Sequence, residues 1–285
     1  MAAMGGKCLR ALPAESLPMI DLPLHRKEIL FSRRLCEFAE VAHGVSTRRL
    51  GNMHHRFGDA AISERNRRAF PEKLGLGTAG IVIPEIVHGT QVAVVGKDQL
   101  GKIMKGVDGL VTNTPAVFIS TFGADCVPIL AYDPTKLIVG SAHAGWMGTL
   151  GLISQKLILT MKERFGTKPM DVLVYLGPSI GPCHYDQGSD KEDGPRGEKS
   201  GLFQRIFPDS VSSKGEVAYI DLWSAHKKQL IDVGVIEENI EVSGFCTVCR
   251  NDAFYSNHME GKNLGGAIMA LIGLRRDNGG IAQTS

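Results

Sequence analysis

The segment from Gly80 to Ala142 confines this chain to a strand-rich fold. Six short runs within it, Gly80–Val87, Gln91–Val95, Val107–Thr112, Val117–Phe122, Val127–Tyr132 and Leu137–Ala142, are mostly rich in Val and Ile and bounded by Gly, Pro or Asp. Such runs read as consecutive strands. The period then changes. Leu150, Ile153, Leu157, Met161 and Phe165 recur every three or four residues, one face of a helix that Gly166 ends. A strand follows at Asp171–Leu176. Asp221–Val233 is a second amphipathic helix, with Leu222, Ala225, Leu230 and Val233 on its apolar side. Ile240–Phe245 and Ala267–Leu274 read as late strands. Helices placed between and after strands predict an α/β (α+β) domain.

A chain of 285 residues holds one large domain or two small ones. No internal repeat is visible. Gly188–Gly201 offers no apolar side chain except one proline, so it is expected to be a mobile loop within one domain. Residues 1–30 read as a loosely ordered N-terminal segment, 31–274 as the domain and 275–285 as a polar tail. A net charge of +2 argues against holding nucleic acid by bulk charge. No apolar run reaches the roughly 18–20 residues that span a bilayer. Met1–Pro18 lacks the sustained apolar core of a secretory signal. Six scattered cysteines do not suggest a disulfide scaffold, so a cytoplasmic protein is expected.

Chemistry concentrates in Gly123-Ala-Asp-Cys-Val-Pro128 and His143-Ala-Gly-Trp146, on either side of the turn sequence Asp133-Pro134-Thr135-Lys136. Read as a hairpin with a symmetric loop, Tyr132 faces Leu137 and Cys126 faces His143. Opposed side chains share a face with Cβ atoms about 4.5–5.5 Å apart. A thiol beside an imidazole suits a catalytic dyad. It also suits a zinc site with three protein ligands and one open position, for which His88, at a strand–glycine junction, is the third candidate. The plainer reading is a buried cysteine and two hydrogen-bonded histidines.

Other patterns carry less. Cys246-Thr-Val-Cys249 is a CxxC whose nearest partners in sequence are Cys183, His184 and His258; it reads as a packing feature of a late strand. His54 and His55 read as exposed. Arg48 and Arg49 are cations that an anionic substrate would meet, and Arg65–Arg68 reads as a solvated helix face. Gly75–Gly80 spells GxGxxG but leads into a strand, so a dinucleotide site is not expected. Gly177–Gly181 spells GxSxG, but Pro178 and Pro182 do not suit the helix of a nucleophile elbow, which leaves Ser179 a weak nucleophile candidate. No phosphate-binding GxxxxGK[ST] occurs.

His88-Gly89, Gly123–Pro128, His143–Trp146, Leu176–Cys183 and Cys246–Cys249, in this order, resemble the YfiH-like family, also called laccase-domain or polyphenol oxidase proteins and purine nucleoside phosphorylases. The resemblance runs from about Val45 to Leu274. It implies a single domain, an α-β-β-α sandwich with mixed sheets. It implies a zinc held by His88, Cys126 and His143. It implies phosphorolysis of adenosine, inosine, guanosine and methylthioadenosine to base and sugar 1-phosphate, with adenosine deamination in some members. Purine nucleoside and phosphate are then the partners, with no nucleic acid and no membrane. Asp125 is assigned as a proton carrier or as a partner of the metal ligands. Arg48, Gly145 and Trp146 are taken as substrate contacts. Copper is disfavoured: a four-copper laccase uses about ten histidines, largely in His-x-His pairs, as a rule of that class. This chain has nine and no such pair. The alternatives are a peptidoglycan-editing Cys–His hydrolase, a copper-dependent polyphenol oxidase and a binding module without activity. The chain departs from the family pattern at Met147 and His258, where cations are usual, and at Ile86, where Gln is common.

Overall fold

The computed structural model describes residues 24–77, 80–186 and 198–276. Fourteen strands are present among them: β1 (Ile29–Leu30), β2 (Val41–Ser46), β3 (Ile81–Pro84), β4 (Val92–Val94), β5 (Ile103–Met104), β6 (Gly109–Thr112), β7 (Phe118–Gly123), β8 (Val127–Asp133), β9 (Ile138–Ala144), β10 (Leu173–Leu176), β11 (Val211–Lys214), β12 (Val217–Ile220), β13 (Ile240–Val242) and β14 (Ile268–Leu274). The helices are α1 (Ala60–Lys73), α2 (Trp146–Leu150), α3 (Ile153–Phe165), α4 (Glu198–Ile206), α5 (Leu222–Asp232) and α6 (Asn257–Glu260). One mixed sheet has the order β1-β2-β14-β7-β3-β5 and the other β13-β10-β8-β9-β6-β4, with β11 and β12 as a separate hairpin.

Strand alternation builds three apolar layers. Leu110, Ile119, Leu130, Val139, Tyr175 and Ile272, from both sheets, pack between them. Val111, Ile129 and Ala142 point the other way, onto Leu157 and Met161 of α3 and Leu230 of α5. On the far side Phe118, Met269 and Leu271 meet Phe70 of α1. The result is a single α-β-β-α sandwich. No described helix is long and apolar enough to cross a membrane. Cys126, Cys183, Cys246 and Cys249 take part in no disulfide, whereas Cys36 is disulfide-bonded.

Three strands escape the apolar pattern for a physical reason. β2 is wholly buried, yet His43 and Gly44 interrupt its Val and Ala run. Burial holds His43 at about pKa 4, and its Nε2 lies 2.9 Å from Ser32 N. A Cβ at Gly44 would sit 2.8 Å from Ile29. In the short β11–β12 hairpin, β11 (Val-Ser-Ser-Lys) is mostly polar and β12 (Val-Ala-Tyr-Ile) apolar throughout, so neither has the alternation that marks a strand. The expected loop at 188–201 lies largely outside the described residues. Its end, however, opens α4, where Lys199 is buried with its ammonium 5.0 Å from the centre of the Trp146 ring.

The β8–β9 hairpin corrects the expected register. Asp133 pairs with Ile138, and His143 pairs with Pro128 rather than with Cys126. The cause is local. Asp133 Oδ1 accepts Thr135 N and Lys136 N at 2.9 and 3.0 Å, and Leu137 leaves the loop with φ +52°. The pairing moves by two residues, so side chains keep their faces. Cys126, just before β8, and His143 stay on the inter-sheet face as diagonal neighbours.

His226 of α5 ties the helical layer together. Its Nε2 lies 3.0 Å from Thr149 Oγ1 and its Nδ1 2.6 Å from Ser154 Oγ. Burial lowers its pKa to about 3. An unfolded histidine protonates near pH 6.5. Between those values the unfolded chain binds a proton that the folded chain refuses, so stability falls as pH drops through that window. The melting temperature should therefore decline from pH 7 to 4.5, and His226→Gln should flatten the decline. An unchanged slope in the variant would remove His226 from this role.

Candidate functional site

Four chain segments meet at one end of the sandwich. β8 begins and β9 ends there, which brings Cys126 and His143 to the same edge. β6 begins beside them, and Asp108 O accepts His143 N at 2.8 Å. The loop between β3 and β4 adds His88. The ligand atoms of His88, Cys126 and His143 all lie within 4.8 Å of one another. The two imidazoles meet edge to face, with centroids 4.8 Å apart. Burial is graded: His143 is buried, Cys126 half-buried and His88 exposed. One thiol and two imidazoles on an open flank match the donor set of a three-ligand metal site with a free position.

The key to this geometry is Asp108, which the sequence reading passed over as part of a strand. It is fully buried. Oδ1 accepts His88 N at 2.9 Å and Oδ2 accepts Gly89 N at 2.7 Å. Those bonds hold His88 at φ +59°, a left-handed conformation rare for residues other than glycine. Oδ1 also lies 3.4 Å from His143 Nδ1. One carboxylate thus orients both histidines and leaves His143 Nε2 for a metal. Burial raises the Asp108 pKa against the opposing pull of these amides. Burial pushes His143 down to about 3, so its ring is neutral, the form that ligates. Gly145 leaves the necessary room. A Cβ there would lie 3.0 Å from Cys126 Sγ and 3.2 Å from the His88 ring.

A cavity of about 300 Å³ opens onto the three donors. Its apolar wall includes Phe57, Ile86, Phe122 and Leu264, and its polar side His54, Arg56 and Asn257. The structure corrects His54, which is 7% exposed rather than at the surface. Its ring packs edge to face on Phe122 and stacks on His55. Burial lowers its pKa to about 4, and Nδ1 accepts Arg56 N at 3.1 Å, which leaves the ring proton on Nε2.

Several expected contacts stand elsewhere. Arg48 does not line the cavity: its guanidinium binds Glu260 and Phe254 O and covers the Tyr255 ring at 4.1 Å. Trp146 packs into the helical layer under Lys199. Asp125, at φ +93°, also lies outside the cavity lining. Its two carboxylate oxygens accept Thr247 Oγ1 at 2.5 Å and His258 N at 2.6 Å. Its burial raises its pKa. Met147 is exposed, Ile86 lines the cavity, and His258 contributes its backbone to Asp125. Ser179 is fully buried, with its hydroxyl on Ile180 O, and a turn at Pro182–His184, not a helix, comes next. The CxxC is more than a packing feature. Cys246 and Cys249 gather with Cys183 and His184 within 4.8 Å. Cys183 and His184 are two of the three nearest partners named from the sequence, and the fold brings them to the CxxC across some sixty residues, while His258 stays outside the cluster.

A buried carboxylate that fixes two histidines beside a thiol, all facing a mostly apolar cavity in an α-β-β-α sandwich, defines a single-domain fold with a small-molecule site. The chain belongs to the multi-copper polyphenol oxidoreductase laccase family, whose model matches residues 36–275. It is 33% identical to purine nucleoside phosphorylase YlmD of Geobacillus stearothermophilus over 84% of this chain and 92% of the relative. The crystal structure of YlmD from that organism superposes with a TM-score of 0.76 at 30% identity, covering 84% of this chain and 95% of that one. Similarity also extends to adenosine deaminase RL5 from an unknown prokaryotic organism, 30% identical over 73% of this chain and 81% of the relative.

Replacing Asp108 by Asn keeps the shape but turns one acceptor into a donor facing an amide. Asp108→Asn should weaken metal retention about 10–100-fold against a competing chelator while far-UV circular dichroism stays native. Unchanged retention would show that the histidines hold their positions without it.

Proposed function

We propose that this chain is a zinc enzyme that cleaves purine nucleosides by phosphorolysis at the His88–Cys126–His143 centre. The observation that carries the reading is the meeting of this donor set with a cavity that offers an aromatic wall and a cation. The relatives named as purine nucleoside phosphorylases and as an adenosine deaminase support the substrate class.

In phosphorolysis a phosphate oxygen bonds to C1′ of the sugar as the bond from C1′ to the purine nitrogen breaks. The bonding electrons leave with the base, which takes up a proton. The products are free base and sugar 1-phosphate for adenosine, inosine, guanosine and methylthioadenosine. Phe57, Phe122, Ile86 and Leu264 offer a surface for the flat base. Arg56 is the cation that meets phosphate, in place of the Arg48 expected from sequence. His54 presents a neutral ring with its proton on Nε2, a hydrogen-bond donor in the cavity wall. Asp108 positions both histidines. Asp125 braces the backbone before Cys126 and carries no proton to substrate, because Thr247 and His258 occupy its oxygens. A bound zinc supplies Lewis-acid polarisation of an oxygen at the open position.

Deamination of adenosine is the second reading, favoured by the RL5 similarity. There a water oxygen adds at C6 of adenine and ammonia leaves. Zinc fits this chain better than a multi-copper centre. Among the described residues the other donor cluster carries three thiols and a single imidazole, not the imidazoles that a copper cluster takes.

Chromatography of products from adenosine, with and without phosphate, checks the proposal. Phosphate-dependent adenine should appear with the wild type and vanish with Cys126→Ala. Arg56→Ala should raise the phosphate KM about tenfold or more, in line with loss of one charge-assisted contact. Inosine without phosphate would select deamination. Intact adenosine, inosine and methylthioadenosine throughout would defeat the nucleoside reading.

A further inference from the structure

We propose that Cys183, His184, Cys246 and Cys249 form a second metal site, a closed structural zinc centre separate from the His88–Cys126–His143 cluster. His184 Nδ1 lies 3.3 Å from Cys183 Sγ, 3.4 Å from Cys249 Sγ and 3.7 Å from Cys246 Sγ. Cys183 and Cys249 sulfurs are 3.6 Å apart. Zinc bonds of about 2.3 Å to sulfur and about 2.0 Å to nitrogen, in a tetrahedron, give edges of about 3.8 Å between sulfurs and about 3.6 Å between sulfur and nitrogen. These four edges stand within about 0.3 Å of those values, and all four donor atoms lie within 4.8 Å of one another. Four protein ligands leave no open position, the mark of a structural rather than a catalytic zinc.

Two tight turns present the donors. Arg250 N donates to Cys246 O at 2.9 Å, so the CxxC makes one helical turn and aims both sulfurs to one side. His184 N and Tyr185 N both donate to Gly181 O at 3.0 Å, which coils the other segment. The turns are held in register by Thr247 N on Ser179 O at 2.9 Å. Gly181 N lies 3.2 Å from Cys246 Sγ, a donor suited to a thiolate. A Cβ at Gly181 would come within 3.2 Å of Cys246 Cβ and 3.4 Å of Cys183 Sγ, so a side chain there would crowd the cluster. A disulfide fits less well. It would pair two of the three thiols at about 2.05 Å and leave the third beside an imidazole.

The site would act as a clamp. Neither turn lies in one of the named strands; the short Ser179–Cys246 bridge, with Thr247 N on Ser179 O and Ser179 N on Phe245 O at 3.3 Å, joins them, and a metal would add four further bonds. Nothing in this assignment rests on the nucleoside reading.

Metal analysis separates the two centres. The full-length protein grown with zinc should carry about two zinc ions per chain. Cys126→Ala should keep about one, and Cys183→Ser with Cys249→Ser should also keep about one, at the other centre. Cobalt exchange gives a second readout that needs no cluster variant. Cys126→Ala loaded with cobalt should show the strong near-ultraviolet thiolate charge-transfer band of a three-thiolate tetrahedral site. A Cys126→Ala protein with neither zinc nor that band would overturn the proposal. So would peptide mapping that finds two of the three cysteines joined as a disulfide in the freshly isolated protein.

Discussion

The site depends on a carboxylate that no solvent reaches. Asp108 sits at the first residue before β6, where the strand ladder stops and backbone amides from the neighbouring loop need acceptors. Taking that charge out of water costs several kcal/mol. The cost is offset by the His88 and Gly89 amides and the His143 ring. In return, a residue with a left-handed backbone, a conformation that costs about 1–3 kcal/mol, is kept in place. The strain lies on His88, one of the three donors, and the support comes from the residue that also orients another donor, His143. An apolar residue of the same volume would spare the desolvation and lose both positions.

Most of the frame was legible because strand alternation is a two-way choice. Once Leu130 and Tyr132 face the second sheet, Val127, Ile129 and Ala131 must face the helices, and Cys126 falls on the inter-sheet side. That parity survived an error in register. The symmetric loop omitted the Asp133 side chain, which captures two amides and displaces the turn, yet a shift of two residues returns every side chain to its face. The motifs then identified three donors that the fold brings together. What escaped was set by tertiary contact. His54 looks like part of a polar surface run until Phe57 and Phe122 pack around it, and Arg56, still exposed, borders the cavity. Arg48 looks like a free cation until Glu260 and Tyr255 engage it. Asp108 stands within an apolar run, and its burial depends on a loop twenty residues earlier.

The same end of the sandwich uses a second carboxylate in the same way. Asp125 lies just before β8 as Asp108 lies just before β6, and it too accepts a backbone amide from a distant loop, His258 N. Its other oxygen takes the hydroxyl of Thr247, which sits between Cys246 and Cys249. Asp125 is also bonded directly to Cys126. A covalent and hydrogen-bonded path therefore runs from the four-donor cluster through Thr247 and Asp125 to the thiol of the three-donor cluster. Where sheets end, the ladder no longer fixes the backbone, and loops tolerate displacements that strands do not. Here two buried carboxylates take over that task. Catalytic groups need placement within about half an ångström, and loops reach that precision only when their own contacts are specified this closely. The irregular end of the molecule is therefore as determined as its sheets, through buried side-chain acceptors instead of backbone pairing.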